Sequence, residues 1–333
     1  MTKKDDRKEF SSAFIIPHYA GGHEHEQGRK KLFIAETIEG LFSQTDDDWC
    51  AIVVVDMTPN DTTYEYLIHL KQKYYPKIDV IFLERNAGPG VSRNLGVLKA
   101  LERGHSIILF NDSDDISHPK RLEVVKKILL ENPHIDVVYS TFEVIDENNR
   151  LTPIEKISSP ILEILESHSH NPLEGNDIWR EMGTKTGITN ITSSTAVRIK
   201  FAYQCPFPNE KASEDFHSWI RMSAFGANFK YTSLIPTKYR IPSFMKYQAS
   251  RTRMGLSKFN QIKVRVDSDG FSKATEIALA RNIIKPEEIP MIKAKFYKRL
   301  AKSMKREMEN ELVKELLNKA AQLEYESFVY SNK

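Results

Sequence analysis

The sequence SIILFNDSDD at residues 106–115 is an apolar run that ends abruptly in a group of carboxylates. The part from 107 to 110 predicts a strand buried on both faces of a sheet, because it is short, apolar and bounded by polar residues. The three aspartates that follow repel one another and need a cation or solvent around them. The segment therefore predicts an acidic loop at the end of an inner strand.

Further strands and helices alternate on both sides of this run. Strands are predicted at 12–16, 50–55, 78–83 and 135–140, and helices at about 29–43, 61–73, 92–103 and 117–131. This order indicates an α/β fold with a mostly parallel sheet and helices on both faces. Ligands of such sheets bind beyond the carboxyl ends of the strands, where His18, Asp56 and Asp112 fall.

The rest of the chain divides into an irregular connection and a helical end. Residues 151–187 predict a connection with short helices, and residues 188–241 return to strands and a helix. Beyond about residue 275, an apolar stripe with a spacing of four predicts one long amphipathic helix or a pair of helices. Its members are Phe296, Leu300, Met304, Met308, Leu312 and Leu316.

Composition fits an ordinary globular protein. The chain has 333 residues, of which 40% are hydrophobic and 28% charged, so it can hold one large domain or two moderate ones. No run approaches the roughly 18 apolar residues of a membrane span, and the polar N-terminus has no secretory pattern. Two cysteines are too few for a disulfide framework. We expect a reducing, cytoplasmic setting.

Charge is distributed unevenly along the chain. Residues 216–266 contain ten Lys or Arg residues and no acid, which favours an anionic partner over a ligand-free basic surface. This stretch lacks a nucleic-acid reading motif, so no nucleic acid is expected. A second basic group in the C-terminal helices indicates either peripheral contact with the inner face of an anionic membrane or packing on the domain or on a second copy. Its members are Lys293, Lys295, Lys298, Arg299, Lys302, Lys305 and Arg306.

The acidic loop has two interpretations. Asp112 and Asp114 can ligate Mg²⁺ or Mn²⁺, which prefer oxygen ligands and leave positions for substrate phosphates. Alternatively, the loop caps the following helix, a role that suits the side chain of Asp115 or Ser117. For Asp112 and Asp114 the metal interpretation is favoured.

Two other segments carry polar side chains at predicted helix starts. Glu214 and Asp215 either cap a helix or supply the general base that a transferase needs. Residues 86–94, NAGPGVSRN, lack the Gly-x-Gly-x-x-Gly spacing of dinucleotide sites. They predict a turn and a helix N-terminus where Ser92, Arg93 and Asn94 can meet a nucleotide.

Taken together, these motifs resemble the family 2 inverting nucleotide-sugar glycosyltransferases of the GT-A fold, a Rossmann-like mostly parallel sheet. The matching segments are 15–19 (IIPHY), 53–56 (VVVD), 86–96 (NAGPGVSRNLG), 112–115 (DSDD) and 214–215 (ED), in the family's order and within about residues 10–245. The resemblance implies a glycosyltransferase domain at 1–245, with a nucleotide-binding half at about 10–140 and an acceptor half at about 141–245. Residues 246–333 would form a basic loop and a helical C-terminal extension.

The resemblance also implies roles for single residues. Asp215 would be the catalytic base, and Asp114 with Asp112 would hold Mn²⁺ or Mg²⁺. Asp56 would contact the base of the nucleotide, usually uracil, so a UDP-sugar is the expected donor. The full set of expected nucleotide-sugar contacts is Pro17, Tyr19, Asp56, Arg93, Asp112, Ser113 and Arg240. The basic stretch after Arg240 would close over the diphosphate.

Three departures from the family pattern leave alternatives open. Asp56 is followed by Met57-Thr58-Pro59 and not by a second acid, which weakens the case for uracil. No histidine follows His217, so the metal either uses His217 or has only aspartate, phosphate and water ligands. His23 and His25 form a metal-like pair, although solvated loop histidines are the commoner case.

Other functions and partners are weighed against this one. A sugar-phosphate nucleotidyltransferase would have a Gly-rich basic loop after its first strand, which Gly21-Gly22-His23-Glu24 matches poorly. A non-catalytic nucleotide-sugar-binding protein would not need the carboxylates. The acceptor, whether glycan, lipid-linked sugar, peptide or small molecule, has no signal in the sequence. A homodimer through the C-terminal helices is a further expectation.

Overall fold

The computed structural model describes residues 11–19, 32–56, 63–242 and 254–331. The strands are β1 (Ser12–His18), β2 (Trp49–Val55), β3 (Ile78–Phe82), β4 (Ile107–Phe110), β5 (Val137–Ile145), β6 (Thr195–Arg198) and β7 (Phe229–Arg240). The helices are α1 (Phe33–Phe42), α2 (Tyr64–Tyr74), α3 (Pro89–Glu102), α4 (Arg121–Glu131), α5 (Ser159–His170), α6 (Trp179–Glu181), α7 (Ile199–Gln204), α8 (Glu214–Ala224), α9 (Leu256–Ala280), α10 (Ile289–Arg306) and α11 (Asn310–Ser331).

The strands form one seven-stranded sheet in the order β3-β2-β1-β4-β6-β5-β7. The pairs β1/β2, β1/β4, β2/β3 and β5/β7 are parallel, which confirms the predicted mostly parallel sheet. β6 is inserted antiparallel between β4 and β5. Because β1 pairs in parallel with both β2 and β4, the carboxyl ends of these three strands lie side by side.

Hydrophobic cores cover both faces of the sheet, because β2, β4 and residues 13–17 of β1 are continuous apolar runs. On one face Ile15 of β1 belongs to the same buried cluster as Val97 of α3. On the other face Phe14 clusters with Ile34 and Ile38 of α1. Side chains alternate between the faces of a strand, so a continuous apolar run packs helices on both sides.

The C-terminal helices belong to the first of these cores. Phe271 of α9, Phe296 and Leu300 of α10, and Leu316 of α11 are buried in the same cluster as Ile15. The helical stripe forms a pair of helices, the second of the two predicted forms. It is interrupted at Met308, which has a left-handed backbone with φ 59° and is 82% exposed.

The basic residues of α10 are partly tied to the protein itself. Lys298 pairs with Glu324 of α11, and Arg306 pairs with Glu163 of α5. Arg299 donates to the carbonyl of Gly183 at 3.0 Å. α10 therefore packs on its own domain, whereas contact with a membrane or a second copy stays a prediction.

Several predicted features fall outside the described residues, or differ from the structure. The His23 and His25 pair, the start of the helix expected from about residue 29, and the basic loop at 243–253 are not among the residues described. Ser117 does not cap α4, because its hydroxyl donates to Asn111 Oδ1 at 2.7 Å and α4 begins only at Arg121. Within the described segments, no helix combines the length and apolar character that a membrane crossing requires.

Candidate active site

The ends of β1, β2 and β4 bring three of the predicted polar segments to one edge of the sheet. Backbone bonds continue past the strands: the Asn111 N–H donates to the carbonyl of Ile15 at 3.1 Å, and that of Asp56 donates to His18 at 2.7 Å. The acidic loop and Asp56 are therefore neighbours of the end of β1, as parallel pairing requires.

The acidic loop is held by the side chain of Ser193 and by the backbone of Arg240. The backbone N–H of Asp112 donates to Ser193 Oγ at 2.8 Å. Asp115 is fully buried, and its Oδ1 accepts the backbone N–H of Arg240 at 2.7 Å. Burial, followed by the charges of Asp114 and Asp112, raises the pKa of Asp115 well above its usual range. Asp115 is thus a structural member of the loop, while Asp112 and Asp114 are partly exposed.

Arg240, a predicted nucleotide contact, is buried and bonded to the protein through its guanidinium. Its Nε donates to the carbonyl of Asp114 at 2.7 Å, and Nη1 and Nη2 donate to Asn149 Oδ1 and Glu36 Oε2, each at 2.7 Å. These bonds fasten the acidic loop to α1 and to the turn after β5. Contact between Arg240 and a diphosphate stays a prediction, and it requires these bonds to rearrange.

Arg93 joins the acidic loop to the start of α8. Its Nη2 lies 2.7 Å from Asp112 Oδ1, and its Nη1 lies 2.9 Å from Glu214 Oε1. The Arg93 side chain is only 4% exposed. Burial alone would lower its pKa, but the carboxylates of Asp112 and Glu214 raise the pKa above its ordinary value. The predicted site residues Arg93, Asp112 and Asp215 are therefore brought to one place.

Asp215 lies beside Glu214 in the first turn of α8, and it is partly buried. Burial and the neighbouring Glu214 carboxylate raise the pKa of Asp215 to about 7. Burial and then the charges of Asp115, Asp112, Asp114 and Asp215 raise the pKa of the Tyr239 phenol. Tyr239 therefore lies in the field of both groups of acids, which form one negative region.

Asp56, the predicted base contact, organises the loop that leads into α3. Its two carboxylate oxygens accept the backbone N–H groups of Ala87 at 2.6 Å and Gly88 at 2.8 Å. Gly88 has φ 88°, a left-handed conformation that glycine adopts without steric cost. The carboxylate thus fixes the turn before α3, the helix that carries Arg93.

The other predicted nucleotide contacts lie at the same edge. Pro17 is in β1 opposite Val54, and Tyr19, directly after the strand, is 44% exposed. Ser113 is partly exposed between the two candidate metal ligands. Their contact with a ligand stays a prediction.

His217 lies on a different side of α8 from Asp215, because residues two apart on a helix point to different faces. Its Nε2 is 2.8 Å from Asp269 Oδ2 on α9, and the side chain is 2% exposed. Burial, with the charge of Arg221, lowers the pKa of His217 to about 4. The structure therefore places this candidate metal ligand against the C-terminal helices.

The carboxylate oxygens of Asp112 and Asp114 are the metal-ligand type that a hard cation prefers. Across residues 11–19, 32–56, 63–242 and 254–331, no three His, Cys, Asp or Glu side chains form a preformed metal cage. Asp112 and Asp114 offer carboxylate oxygens next to a strongly negative loop, which fits Mg²⁺ or Mn²⁺ only if phosphate and water complete the shell. Metal binding at Asp112 and Asp114 stays a prediction.

Sequence reasoning missed two residues that build this site and did not foresee the role of a third. Ser193 and Glu36 hold the acidic loop and Arg240. Glu214, predicted as a helix cap or a general base, is the partner of Arg93. Their signals are weak, because single serines and glutamates occur throughout the chain. Only the position of Glu214 beside Asp215 could have indicated its role.

Comparison with known proteins agrees with this arrangement. The model of glycosyl transferase family 2 matches residues 15–198. An uncharacterised glycosyltransferase of Methanocaldococcus jannaschii is 29% identical over 233 residues, which are 69% of this chain and 73% of that protein.

Solved structures show the same fold at low sequence identity. Residues 1–349 of S. aureus TarS in complex with UDP give a TM-score of 0.54 at 17% identity, covering 97% of this chain and 92% of that one. The same fragment in complex with UDP-GlcNAc gives 0.53 at 15% identity, covering 94% and 92%. GalNAc-T7 with UDP, GalNAc and Mn²⁺ gives 0.54 at 13% identity, covering 84% and 51%.

The predicted GT-A architecture is confirmed by these likenesses and by the sheet itself. The family model covers more than half of the chain, including the end of β1, the loop before α3 and the acidic loop. The chain therefore belongs to glycosyl transferase family 2 and is a glycosyltransferase.

Proposed function

We propose that this glycosyltransferase moves a sugar from a UDP-sugar to an acceptor hydroxyl with inversion, with a divalent metal at Asp112 and Asp114 and Asp215 as general base. The observation that carries the proposal is the Arg93 bridge, which holds Asp112 and Glu214 on one guanidinium. Arg93 therefore has on one side the acidic loop with the candidate metal ligands, and on the other side the first turn of α8 with Asp215, the candidate base.

The donor side of the proposal rests on the acidic loop and its neighbours. Bound Mg²⁺ or Mn²⁺ supplies positive charge that stabilises the departing diphosphate. Asp112 and Asp114 would hold the metal, and Tyr19 and Pro17 would border the nucleotide. UDP as the leaving group is supported by the TarS and GalNAc-T7 structures, which contain it.

The acceptor side rests on Asp215. Its carboxylate takes the proton of the acceptor hydroxyl as the hydroxyl oxygen bonds to the anomeric carbon. The bond between that carbon and the diphosphate oxygen breaks at the same time, and UDP leaves from the opposite face. A pKa near 7 suits this role, because the group can both accept and release a proton near neutral pH.

Family membership supports glycosyl transfer over nucleotidyl transfer and over non-catalytic binding of a nucleotide-sugar. Nucleotidyl transfer would require cationic side chains directly after β1, and that segment lies outside the described residues. A non-catalytic role would not need the carboxylates of Asp112, Asp114 and Asp215.

The proposal is tested by UDP release from a panel of UDP-sugars with Mn²⁺ and water as acceptor. Asp215→Asn should lower kcat by about 10²–10⁴-fold, while calorimetry shows nearly unchanged donor affinity. Asp47→Asn, an exposed aspartate in the α1–β2 loop, is the matched control and should keep full activity. NMR of the first sugar released should show the inverted anomer. Wild-type activity in Asp215→Asn, or retention of configuration, would refute the assignment of Asp215.

A further inference from the structure

Asp267 on α9 is a fully buried carboxylate that the chemistry proposed above does not use. Its Oδ1 accepts a hydrogen bond from Ser213 Oγ at 2.5 Å, and its Oδ2 accepts one from Lys263 Nζ at 2.7 Å. Burying a carboxylate is costly unless it is paired and hydrogen-bonded. Here one partner comes from the same helix and the other from the residue just before α8.

Ser213 is the residue from which α8, with Glu214 and Asp215, begins. Its backbone is left-handed, with φ 61° and ψ 18°, a conformation that costs energy for any residue with a side chain. Its hydroxyl makes no capping bond to α8 and instead donates to Asp267. The bond to Asp267 therefore holds the strained turn that aims Asp215.

Lys263 completes this arrangement. Its ammonium lies 3.4 Å from Ser213 Oγ and 5.9 Å from the centre of the Phe216 ring, so it borders the first turn of α8. The ion pair with Asp267 keeps it there, with the side chain 21% exposed.

Charged and titratable groups face Asp215 from four elements. Glu214 comes from α8 itself, Arg93 from α3, Lys263 from α9 and Tyr239 from β7. Burial and Glu214 raise the pKa of Asp215, whereas Arg93 and Lys263 oppose the rise. Lys263 therefore contributes to the field as well as to the geometry.

We propose that Asp267 is a positioning residue for Asp215: through Ser213 it fixes the turn before the base, and through Lys263 it sets a cation beside it. The inference rests on the proposed function of Asp215. It makes α9 part of the catalytic arrangement, because a helix of the C-terminal region fixes the residue that performs the chemistry.

The geometric part is tested with Ser213→Gly. Glycine accepts a left-handed backbone, so the loss of the hydroxyl bond is offset and the melting temperature should change little. Without the bond to Asp267 the base is misplaced, and we expect kcat for UDP release from UDP-GlcNAc to fall by about tenfold to a hundredfold. KM should stay close to the wild-type value, because the donor contacts lie elsewhere. Unchanged kcat would overturn the geometric part of the proposal.

Two matched variants separate this effect from a general one. Met308→Gly makes the same backbone change at a left-handed residue in the turn between α10 and α11, and should leave kcat unchanged. Ser213→Asn tolerates the left-handed backbone and offers an amide N–H to Asp267. It should recover most of the activity, and failure to do so would contradict a role for this bond.

The electrostatic part is tested with Lys263→Gln, which keeps a donor for Asp267 but removes the charge. The acidic limb of the pH profile of kcat/KM should move to higher pH, while Lys258→Gln, an exposed lysine of α9, should not move it. A second measurement tests the same effect of Lys263 without depending on enzyme activity. The difference in melting temperature between each protein and its Asp215→Asn form, followed against pH, reports the protonation of Asp215.

The outcomes separate this inference from the proposed function. Asp267 does not position the base if Asp215→Asn is inactive while the two other variants behave like the wild type. In that case Ser213→Gly is fully active, and Lys263→Gln shifts neither the pH profile of kcat/KM nor that of the melting-temperature difference. If Asp215→Asn is fully active, the proposed base itself is wrong, and the inference falls with it.

Discussion

Asp112 and Arg93 form a hydrogen-bonded ion pair, with 2.7 Å between Oδ1 and Nη2 and a guanidinium that is almost completely buried. The same guanidinium binds Glu214 at 2.9 Å. A planar guanidinium can bind two carboxylates in fixed directions, which a lysine cannot do. The distance between the acidic loop and the start of α8 is therefore set by one side chain.

Removal of Arg93 should be costly for stability as well as for activity. Arg93→Met leaves the Asp112 and Glu214 carboxylates without their cation, and we expect the free energy of unfolding to fall by about 3–5 kcal/mol. Urea denaturation measures this loss. The control is Arg265→Met, which removes an ion pair with Glu210 in which the arginine is 61% exposed. That variant should cost about 0–1 kcal/mol; equal losses in the two would contradict a special role for Arg93.

Asp215 should make activity and stability depend on pH in opposite directions. The folded protein holds the Asp215 proton up to about pH 7, whereas the unfolded chain releases it near the ordinary value of 3.8. Stability therefore falls as pH rises through this window, while kcat/KM rises because the base must be ionised. Calorimetric melting should show Asp215→Asn to be more stable than the wild type at pH 8, and similar to it at pH 4. A less stable variant at pH 8 would contradict the raised pKa.

His217 should affect acid stability and not metal binding. Its pKa of about 4 lies below the ordinary value of 6.5, so its contribution to stability is lost as pH falls from 6.5 towards 4. His217→Gln should lessen this loss, as followed by urea denaturation between pH 4 and pH 7. In calorimetry, His217→Gln should keep Mn²⁺-dependent UDP binding, whereas Asp114→Ala should lose it. The reverse pattern would make His217 the metal ligand.

Asp56 should matter for the loop before α3 even without a ligand. Asp56→Ala removes the acceptor of two backbone N–H groups, those of Ala87 and Gly88, and should destabilise the protein by about 1–3 kcal/mol. Asp48→Ala, where the aspartate is 57% exposed beside Lys126, should cost at most about 1 kcal/mol. Chemical denaturation compares the two, and an equal effect would mean that Asp56 acts only through a ligand.

Much of the fold could be predicted because its signals are local. Continuous apolar runs such as residues 50–55 predicted the inner strands, as β2 shows. The place of β6 could not be predicted, because its partners β4 and β5 are chosen by packing across a long connection. The Ser117 cap was wrong because the hydroxyl found a better partner in buried Asn111.

The candidate site was predictable to a similar degree. Asp112, Asp114 and Asp215 carry their signal in their own neighbours in sequence. Ser193 and Asp267 carry none, since each acts through a contact with a segment distant in sequence. The partners of Arg240 could not be predicted from the sequence, because burial decides whether a guanidinium meets a ligand or its own protein.

The most direct measurement is a crystal structure of the protein with UDP and Mn²⁺. We expect Asp112 and Asp114 to contact the metal or the nucleotide, and the diphosphate to lie against the acidic loop. Asp215 should face the diphosphate across an open space for the sugar. UDP bound at another surface, with both aspartates turned away from the metal, would contradict this expectation.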